Sequence, residues 1–587
     1  MNCQLHTSNI QDKVRMHAAE ILGNSFSFRE GQLEAICKIV ENSASGIKHT
    51  MLEAPTGSGK SIIALLSAYV LYKEFNMKSY ILVSDLTLYK QYENDIKKTG
   101  STFFGCIKGK ENYICAKNGC KVSQSACSLQ RMSVKGMTYK RGSWPCKWTC
   151  QYIQDYMQAV QAPITLMTYQ FYFIQRNYVE DEIFGGKNPN FPERDLVICD
   201  ECHKLCEICQ AHFAPVISIE RPRWMNVLDK YEHIDSYEND RRWIVKSISE
   251  CTDNDKLVDL VNDYEKYIME YVEANDRIRN RLAKRNHLTK MEKAALVSGN
   301  RARQEHCKIA DMQKFIADLK SSEYLVKTLS KDSIVLNFIF DDIMLKKYFH
   351  NKSRCELLMS ATIGDFNSYA SLTGLDKKQC RAIALPSAFD FSKSPIVVSN
   401  ENFMTYESKK EALPNIAEQA VQICKDNCDV RGIIQTGSYE NARALMRAMP
   451  DDVRDRCLQY NSTSEKNYML EEFLRRGKDG LHDNSILVGP TLIEGLDFPD
   501  DLCRFQICIK VPYAFLGSEY VQKKMRYVAG WYEYDVLNKI CQGIGRGIRH
   551  KKDWCKTYIL DGCISYLRPK LEKFSALNGR FVMMKHK

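Results

Sequence analysis

Eight residues, Ala54-Pro55-Thr56-Gly57-Ser58-Gly59-Lys60-Ser61, have the types and spacing to hold a polyphosphate. Gly57 and Gly59 allow backbone angles that turn successive N–H groups toward phosphate oxygens. An apolar run leads into them from Met51, and Ile62, Leu65, Leu66 and Tyr69 follow at helical spacing. This predicts a strand, a glycine turn and a helix, whose N-terminus adds positive potential. In such a loop Lys60 reaches the β- and γ-phosphates and the Ser61 hydroxyl coordinates Mg²⁺, with Thr56, Gly57, Ser58 and Gly59 lining the phosphates. Ala54 stands where the usual pattern has a first glycine.

A second stretch, ICDECHKLCEIC from Ile198 to Cys209, offers two chemistries. Cys199/Cys202 and Cys206/Cys209 form two C-x-x-C pairs, a spacing that suits zinc. Asp200 and Glu201 follow an apolar run, DLVIC, and two carboxylates at a strand's end can hold Mg²⁺ beside a nucleotide. Cys206 and Cys209 begin a helix. Drawing them onto one zinc with Cys199 would pull the strand end away from the phosphate loop. The carboxylates are therefore the expected metal-handling groups: Asp200 on Mg²⁺, Glu201 on the attacking water.

These residues need a scaffold. The chain has 587 residues, beyond the ~250–300 one hydrophobic core can organise, so two large domains with insertions are expected. Hydrophobic residues make up 44% and charged residues 26%, as in ordinary globular proteins. The 83 basic and 72 acidic side chains leave +11, which suits a polyanionic partner. No apolar run reaches the ~20 residues of a membrane span, and the N-terminal residues lack a basic-then-apolar leader pattern. The 24 cysteines then point to a reducing interior, cytoplasmic or nuclear, with most of them buried or on metal.

Further candidates follow in chain order. Phe28, Arg29 and Gln32 precede the loop, with Gln32 a reader of an adenine edge; Thr87 and Gln91 follow a predicted strand. Ser360-Ala361-Thr362 ends another strand and can sense the γ-phosphate. Glu494-Gly495-Leu496-Asp497 and Gln542-x-x-Gly545-Arg546-x-x-Arg549 come last. Arg546 and Arg549, read as i and i+3 on a helix, share a face from which one can act as an arginine finger. This order of motifs, from Phe28 to Arg549, resembles superfamily 2 DNA helicases of the XPD/DinG family.

The resemblance implies an α/β fold: two RecA-like parallel-sheet motor domains, with an iron–sulfur insertion and a helical arch-like insertion in the first. The expected divisions are 1–105, 156–209 and 353–390 for motor domain 1, 106–155 for the cluster insertion, 210–352 for the arch, and 391–587 for motor domain 2. It also implies ATP in the cleft, contacted by Asp497 and Gln542 among others, and 5′→3′ translocation by a monomer on single-stranded DNA and on forked or overhang duplexes. The segment between Cys115 and Cys150 is poor in aliphatic residues and needs a metal centre to hold it. By its flanks it resembles the family's [4Fe–4S] insertion, with Cys115 and Cys150 the outer ligands, Cys127 and Cys146 the middle pair, and Cys120 a fifth candidate. Zinc is the rival metal there. Rival readings of the whole are a DEAD/DEAH-type RNA helicase and a zinc-stabilised nucleic-acid-binding protein with a dead motor.

Overall fold

The structure is a computed structural model that describes residues 7–55, 57–116, 119, 121–122, 150–177, 191–234, 238–282, 289–387, 391–477, 483–490, 498–548, 552–574 and 577–584, without the side chains of residues 7, 8, 290, 293, 391, 463 and 546. Two seven-stranded sheets, each parallel throughout, form its two motor halves.

In the first sheet the strands run in the order Cys380–Ala384, His49–Glu53, Ser353–Ser360, Arg194–Cys199, Ser79–Val83, Ile164–Thr168 and Phe104–Cys106. His49–Glu53 and Ser79–Val83 are buried along their whole length, as strands covered on both faces must be. Register sets the level of the strand ends. Glu53 pairs with Ser360 and with Ala384, and Leu82 with Cys199. The phosphate loop, the Ser360 turn and the Asp200–Glu201 pair thus all leave the sheet from carboxyl ends, where open α/β sheets bind ligands.

The helix Lys60–Phe75 departs from expectation in one respect. Apolar side chains were expected on one face, yet Ile63, Ala64, Leu65, Leu66, Ala68, Tyr69, Val70 and Leu71 are all buried, while Ile62 is only half-buried. The helix is sandwiched between the sheet and the helices Gln32–Ala44 and Leu86–Thr99, so a single apolar stripe understates it.

The second sheet runs Cys457–Gln459, Ile486–Gly489, Gly432–Gln435, Phe505–Cys508, Lys556–Ile559, Ile396–Val398 and Phe581–Met583. Between the halves of the first sheet's chain lies the insertion expected to be helical. The helices Asn254–Leu282 and Lys290–Leu319 form its long hairpin, with Gly299 so close to Asn275 that a Cβ would lie 2.2 Å from its Oδ1. The insertion is not all helix. Val216–Ser218, Ser333–Phe338 and Leu325–Leu329 make a three-stranded antiparallel sheet. Ser333–Phe338 alternates half-buried and buried residues, a period-two signal hidden between long helical patterns.

Candidate functional site

The phosphate loop has the backbone its glycines allow. Gly57 and Gly59 sit at φ +84° and +81°, and Gly59 caps the helix that starts at Lys60. Arg29 donates to the Gly57 carbonyl, and Gln32 Nε2 donates to Ser58 O at 3.2 Å and Gly59 O at 3.4 Å. Gln32 Oε1 accepts the Arg29 N–H at 3.1 Å, and the residue is buried. Gln32 therefore braces the loop from behind; the sequence suggested only an adenine-reading role. A Cβ on Gly59 would lie 2.6 Å from Gln32 Nε2, so this glycine is needed for the close approach as well as for its φ. Beside the brace opens a cavity of about 620 Å³ lined by Arg15, Phe26, Phe28, Arg29 and Glu30 among others. Phe28 packs edge-on against Phe26, with the Arg15 guanidinium 6.0 Å from its ring. Thr56 lies outside the described residues.

The acid pair follows directly from the strand Arg194–Cys199. Asp200 is buried; its Oδ2 accepts from the Tyr92 hydroxyl at 2.7 Å and its Oδ1 from the Glu201 N–H at 2.9 Å. Burial, then the neighbouring Glu201 charge, push its carboxyl up to about 6. Glu201 adopts φ +54°, a left-handed conformation that strains a residue with a Cβ and turns its side chain out of the strand line. Its Oε1 lies 3.8 Å from Lys60 Nζ and its Oε2 3.3 Å from His203 Nδ1. Burial works against its ionisation, but Lys60, His203 and Lys204 outweigh that and hold the carboxyl below its usual range. One carboxyl is thus raised and its neighbour lowered, the separation a site needs to give adjacent acids different tasks.

The turn after Ser360 is wired to both. His203 Nδ1 lies 2.7 Å from Ser360 Oγ, which accepts the Thr362 N–H at 3.2 Å. Glu53, last residue of the strand feeding the phosphate loop, accepts N–H bonds from Ile363 at 2.8 Å and Gly364 at 2.7 Å through one oxygen. Tyr534 of the second half donates to Ile363 O at 2.8 Å, so this turn also touches the other motor half. Sequence reading missed Glu53, Tyr92, Asp95 and Tyr534. Only Glu53 carried a signal, being an acid in an otherwise apolar strand.

The oxygen donors fit a hard divalent cation. The Ser61 hydroxyl donates its proton to Asp95 at 2.9 Å, which leaves its lone pairs for a cation, and Asp200 adds a carboxylate. The Ser58 hydroxyl is buried in the loop with no partner among the described residues. It is a polar atom waiting for a ligand.

In the second half, Gln542 is half-buried on the helix Trp531–Ile544. That helix stops before Arg546. Gly545–Gly547 form a 3₁₀ turn and Ile548 is extended. A Cβ on Gly547 would lie 2.5 Å from that of Cys555. The Arg546 side chain, Arg549 and Asp497 lie outside the described residues. Thr436 and Ser438, which follow the strand Gly432–Gln435, spend their hydroxyls internally. Buried Thr436 donates to Ser438 O at 3.0 Å, and Ser438 caps the next helix by accepting from Asn441 N at 3.1 Å.

The cysteines of residues 198–209 divide between strand, turn and helix. Burial pushes the thiols of Cys199, Cys202, Cys206 and Cys209 upward. No metal-holding group among the described residues includes them. Cys115 and Cys150 are both buried in the cluster that holds Tyr113, Val122, Tyr152 and Ile153, and Cys150 caps the helix Gln151–Gln161. Two soft donors thus bracket the segment expected to hold a cluster; Cys120, Cys127 and Cys146 lie outside the described residues. Cys106 ends the strand Phe104–Cys106 half-buried, its thiol pushed up to about 12 by burial. No described helix is long and apolar enough to cross a membrane.

Comparison with known proteins agrees with this geometry. The family model for a helicase C-terminal domain matches residues 424–573. The one for the type III restriction enzyme, res subunit, matches residues 25–244. Over 105 residues the chain is 30% identical to the ATP-dependent DNA helicase CHL1 of Saccharomyces cerevisiae, covering 15% of this chain and 12% of that protein. Over 99 residues it is 31% identical to the ATP-dependent DNA helicase DDX11 of Mus musculus, covering 14% and 11%. The chain therefore matches about an eighth of the length of these relatives or less. Among solved structures, an XPD helicase superposes with TM-score 0.56 at 15% identity, over 95% of this chain and all of that one. Xpd4 of S. tokodaii superposes with TM-score 0.56 at 13% identity over the same shares. At such identities the likeness is one of fold.

Proposed function

With the makeup of a superfamily 2 helicase of the XPD/DinG type as premise, we propose that this chain is an ATP-dependent DNA helicase moving 5′→3′ on single-stranded DNA. The observation that carries the ATPase is the convergence of Lys60, Glu201, His203 and Ser360 within hydrogen-bond or ion-pair reach of one another. Thr56, Gly57, Ser58, Gly59 and Lys60 cradle the phosphates, and the base enters the cavity beside Phe28. Ser61 and Asp200 would hold Mg²⁺, which when bound offsets charge on the β/γ-phosphates. Glu201, kept ionised by Lys60 and His203, orients the attacking water and accepts its proton. Arg546 and Arg549, with Gln542 and Asp497, come from the other motor half, so hydrolysis requires the cleft to close. His203 joins the water-orienting acid to the Ser360 turn, and Tyr534 joins that turn to the second half. Occupancy of the nucleotide site is thereby passed to the domain interface.

Cys115, Cys127, Cys146 and Cys150, with Cys120 as the alternative ligand, are proposed to bind a [4Fe–4S] cluster that holds residues 106–155 folded. A cluster would supply structural cross-linking there, in a segment with little apolar core of its own. Exposed Thr87 and Gln91, on the helix Leu86–Thr99, face solvent at the carboxyl edge and are candidates for the DNA strand. The +11 charge favours that partner.

The test is strand displacement with matched duplexes bearing a 5′ or a 3′ overhang, in DNA and in RNA. Unwinding of the 5′-overhang DNA alone is expected. Displacement confined to RNA, or to 3′ overhangs, overturns the reading.

A further inference from the structure

At the opposite end of the phosphate-loop strand from Glu53, three side chains meet away from solvent. His49 opens that strand, Glu356 pairs with it in register on the Ser353–Ser360 strand, and His350 ends the π-helical turn Lys346–His350, where the insertion returns to the sheet. All three are buried, at 4%, 1% and 3% exposure, and their ligand atoms lie within 4.8 Å of one another.

The hydrogen-bond bookkeeping of this cluster needs a cation. His350 Nε2 lies 2.9 Å from the Thr373 carbonyl oxygen, which can only accept, so Nε2 carries the proton. In the neutral ring Nδ1 then presents a lone pair, and it faces Glu356 Oε2 at 2.8 Å. His49 Nδ1 faces the same oxygen at 3.1 Å. A carboxylate and a lone-pair nitrogen this close repel unless an extra proton or a metal ion lies between them. The other carboxylate oxygen, Oε1, is buried with no partner among the described residues, so a proton between Nδ1 and Oε2 leaves it unsatisfied.

We propose that His49, His350 and Glu356 form a structural site for a first-row divalent transition metal. The donor set, two imidazoles and one carboxylate, is one that Zn²⁺ and Fe²⁺ accept. At metal–ligand distances of about 2.1 Å, donors 2.8 and 3.1 Å apart subtend roughly 85–95° at the ion, the angle of one octahedral face. Glu356 Oε1 would become the fourth donor of a bidentate carboxylate. The His350–Thr373 bond is the outer hydrogen bond that fixes a metal-binding ring's tautomer. The ion would fasten the insertion's return to the two strands that carry the phosphate loop and the Ser360 turn, about 13 Å along the strand from Glu53. The site is independent of the proposed helicase activity and of the cysteine segment.

The test uses the full chain, purified anaerobically, as wild type and as His350→Gln and Glu356→Gln. Metal content is measured as purified. After chelation, Co²⁺ is titrated while its d–d absorption is followed, and melting is compared with and without Zn²⁺. Wild type should carry one divalent ion per chain beyond any cysteine-bound metal, develop cobalt bands at one equivalent, and melt several degrees higher with Zn²⁺. Both variants should lose at least tenfold in occupancy and all of the Zn²⁺-dependent shift. Cobalt titration of wild type alone decides the matter if a variant misfolds. Wild type without cobalt bands and without a Zn²⁺ shift, or variants that keep the same metal content, would overturn the site and leave a doubly protonated His350 as the cation.

Discussion

At the carboxyl end of the first sheet Glu201 is held at φ +54°, Asp200 is buried with a raised carboxyl, and Lys60 and His203 point at the pair. At the same end of the second sheet, Ser438 caps a helix, the Thr436 hydroxyl donates to the Ser438 carbonyl oxygen, and Gln435 is buried. Both sheets have seven parallel strands. The difference lies in where each stores polar cost. The first leaves strain and charge unrelieved at its strand ends, which suits a site that receives a charged ligand. The second spends Thr436 and Ser438 on internal bonds, and on the proposed mechanism its contribution comes from Gln542, on the helix Trp531–Ile544, and from Arg546 and Arg549 beyond that helix. On the proposed reading one sheet binds and the other completes.

That division is broken most severely at the second sheet's contribution. Arg549→Ala, and separately Arg546→Ala, should leave nucleotide binding nearly intact while the better placed of the two costs about 10³–10⁵ in kcat. Steady-state hydrolysis beside fluorescent-nucleotide binding checks this, and equal loss in both measurements would place the arginines in binding. On the first sheet, Glu201→Gln should lower kcat by about 10²–10⁴ with little change in KM. Because the wild-type carboxyl sits below its usual range, Glu201 should add no acid limb to kcat between neutral pH and about 5; a limb near 6 there belongs to Asp200 and should persist in Glu201→Gln.

A smaller effect separates ligand-seeking strain from ordinary stability. The Asp200 carboxyl is raised from 3.8 to about 6, so the native state holds that proton more tightly than the unfolded chain does. The stability it gives is complete below about pH 3.8 and is lost as pH rises through about 6. Asp200→Asn mimics the protonated group. In chelator at about pH 8 it should be more stable than wild type by roughly 1–3 kcal/mol, and the difference should vanish near pH 4. It should also be inactive. Thermal melts at the two pH values test this, and a variant that melts lower at pH 8 would mean the acid is not strained. The smallest effect is expected at Ser438→Ala, which removes only a helix cap worth about 1 kcal/mol and should leave DNA binding within twofold by anisotropy.

What the sequence made legible was local. Gly57, Gly59, Lys60 and Ser61 could be read because a phosphate loop is built from consecutive residues, and Asp200–Glu201 because an acid pair ends an apolar run. The parallel α/β architecture was legible only through the family resemblance that the order of the motifs carries. Hidden were the links between distant positions: Tyr92 to Asp200, Glu53 to Ile363 and Gly364, Gln32 to the loop it braces, and His49 to Glu356 across 307 residues. Spacing carries no signal for such pairs. The end of the Trp531–Ile544 helix at a 3₁₀ turn was hidden as well. The small sheet in the insertion was masked by the long helices around it.

The central claim is that Lys60 and the acid pair form an ATPase driven by DNA. It is met most directly by measuring ATP hydrolysis with and without single-stranded DNA, for wild type and for Lys60→Ala. The account predicts DNA-stimulated hydrolysis in wild type and a fall of about 10²–10³ or more in the variant. Hydrolysis that is indifferent to DNA, or equal in the two proteins, would contradict it.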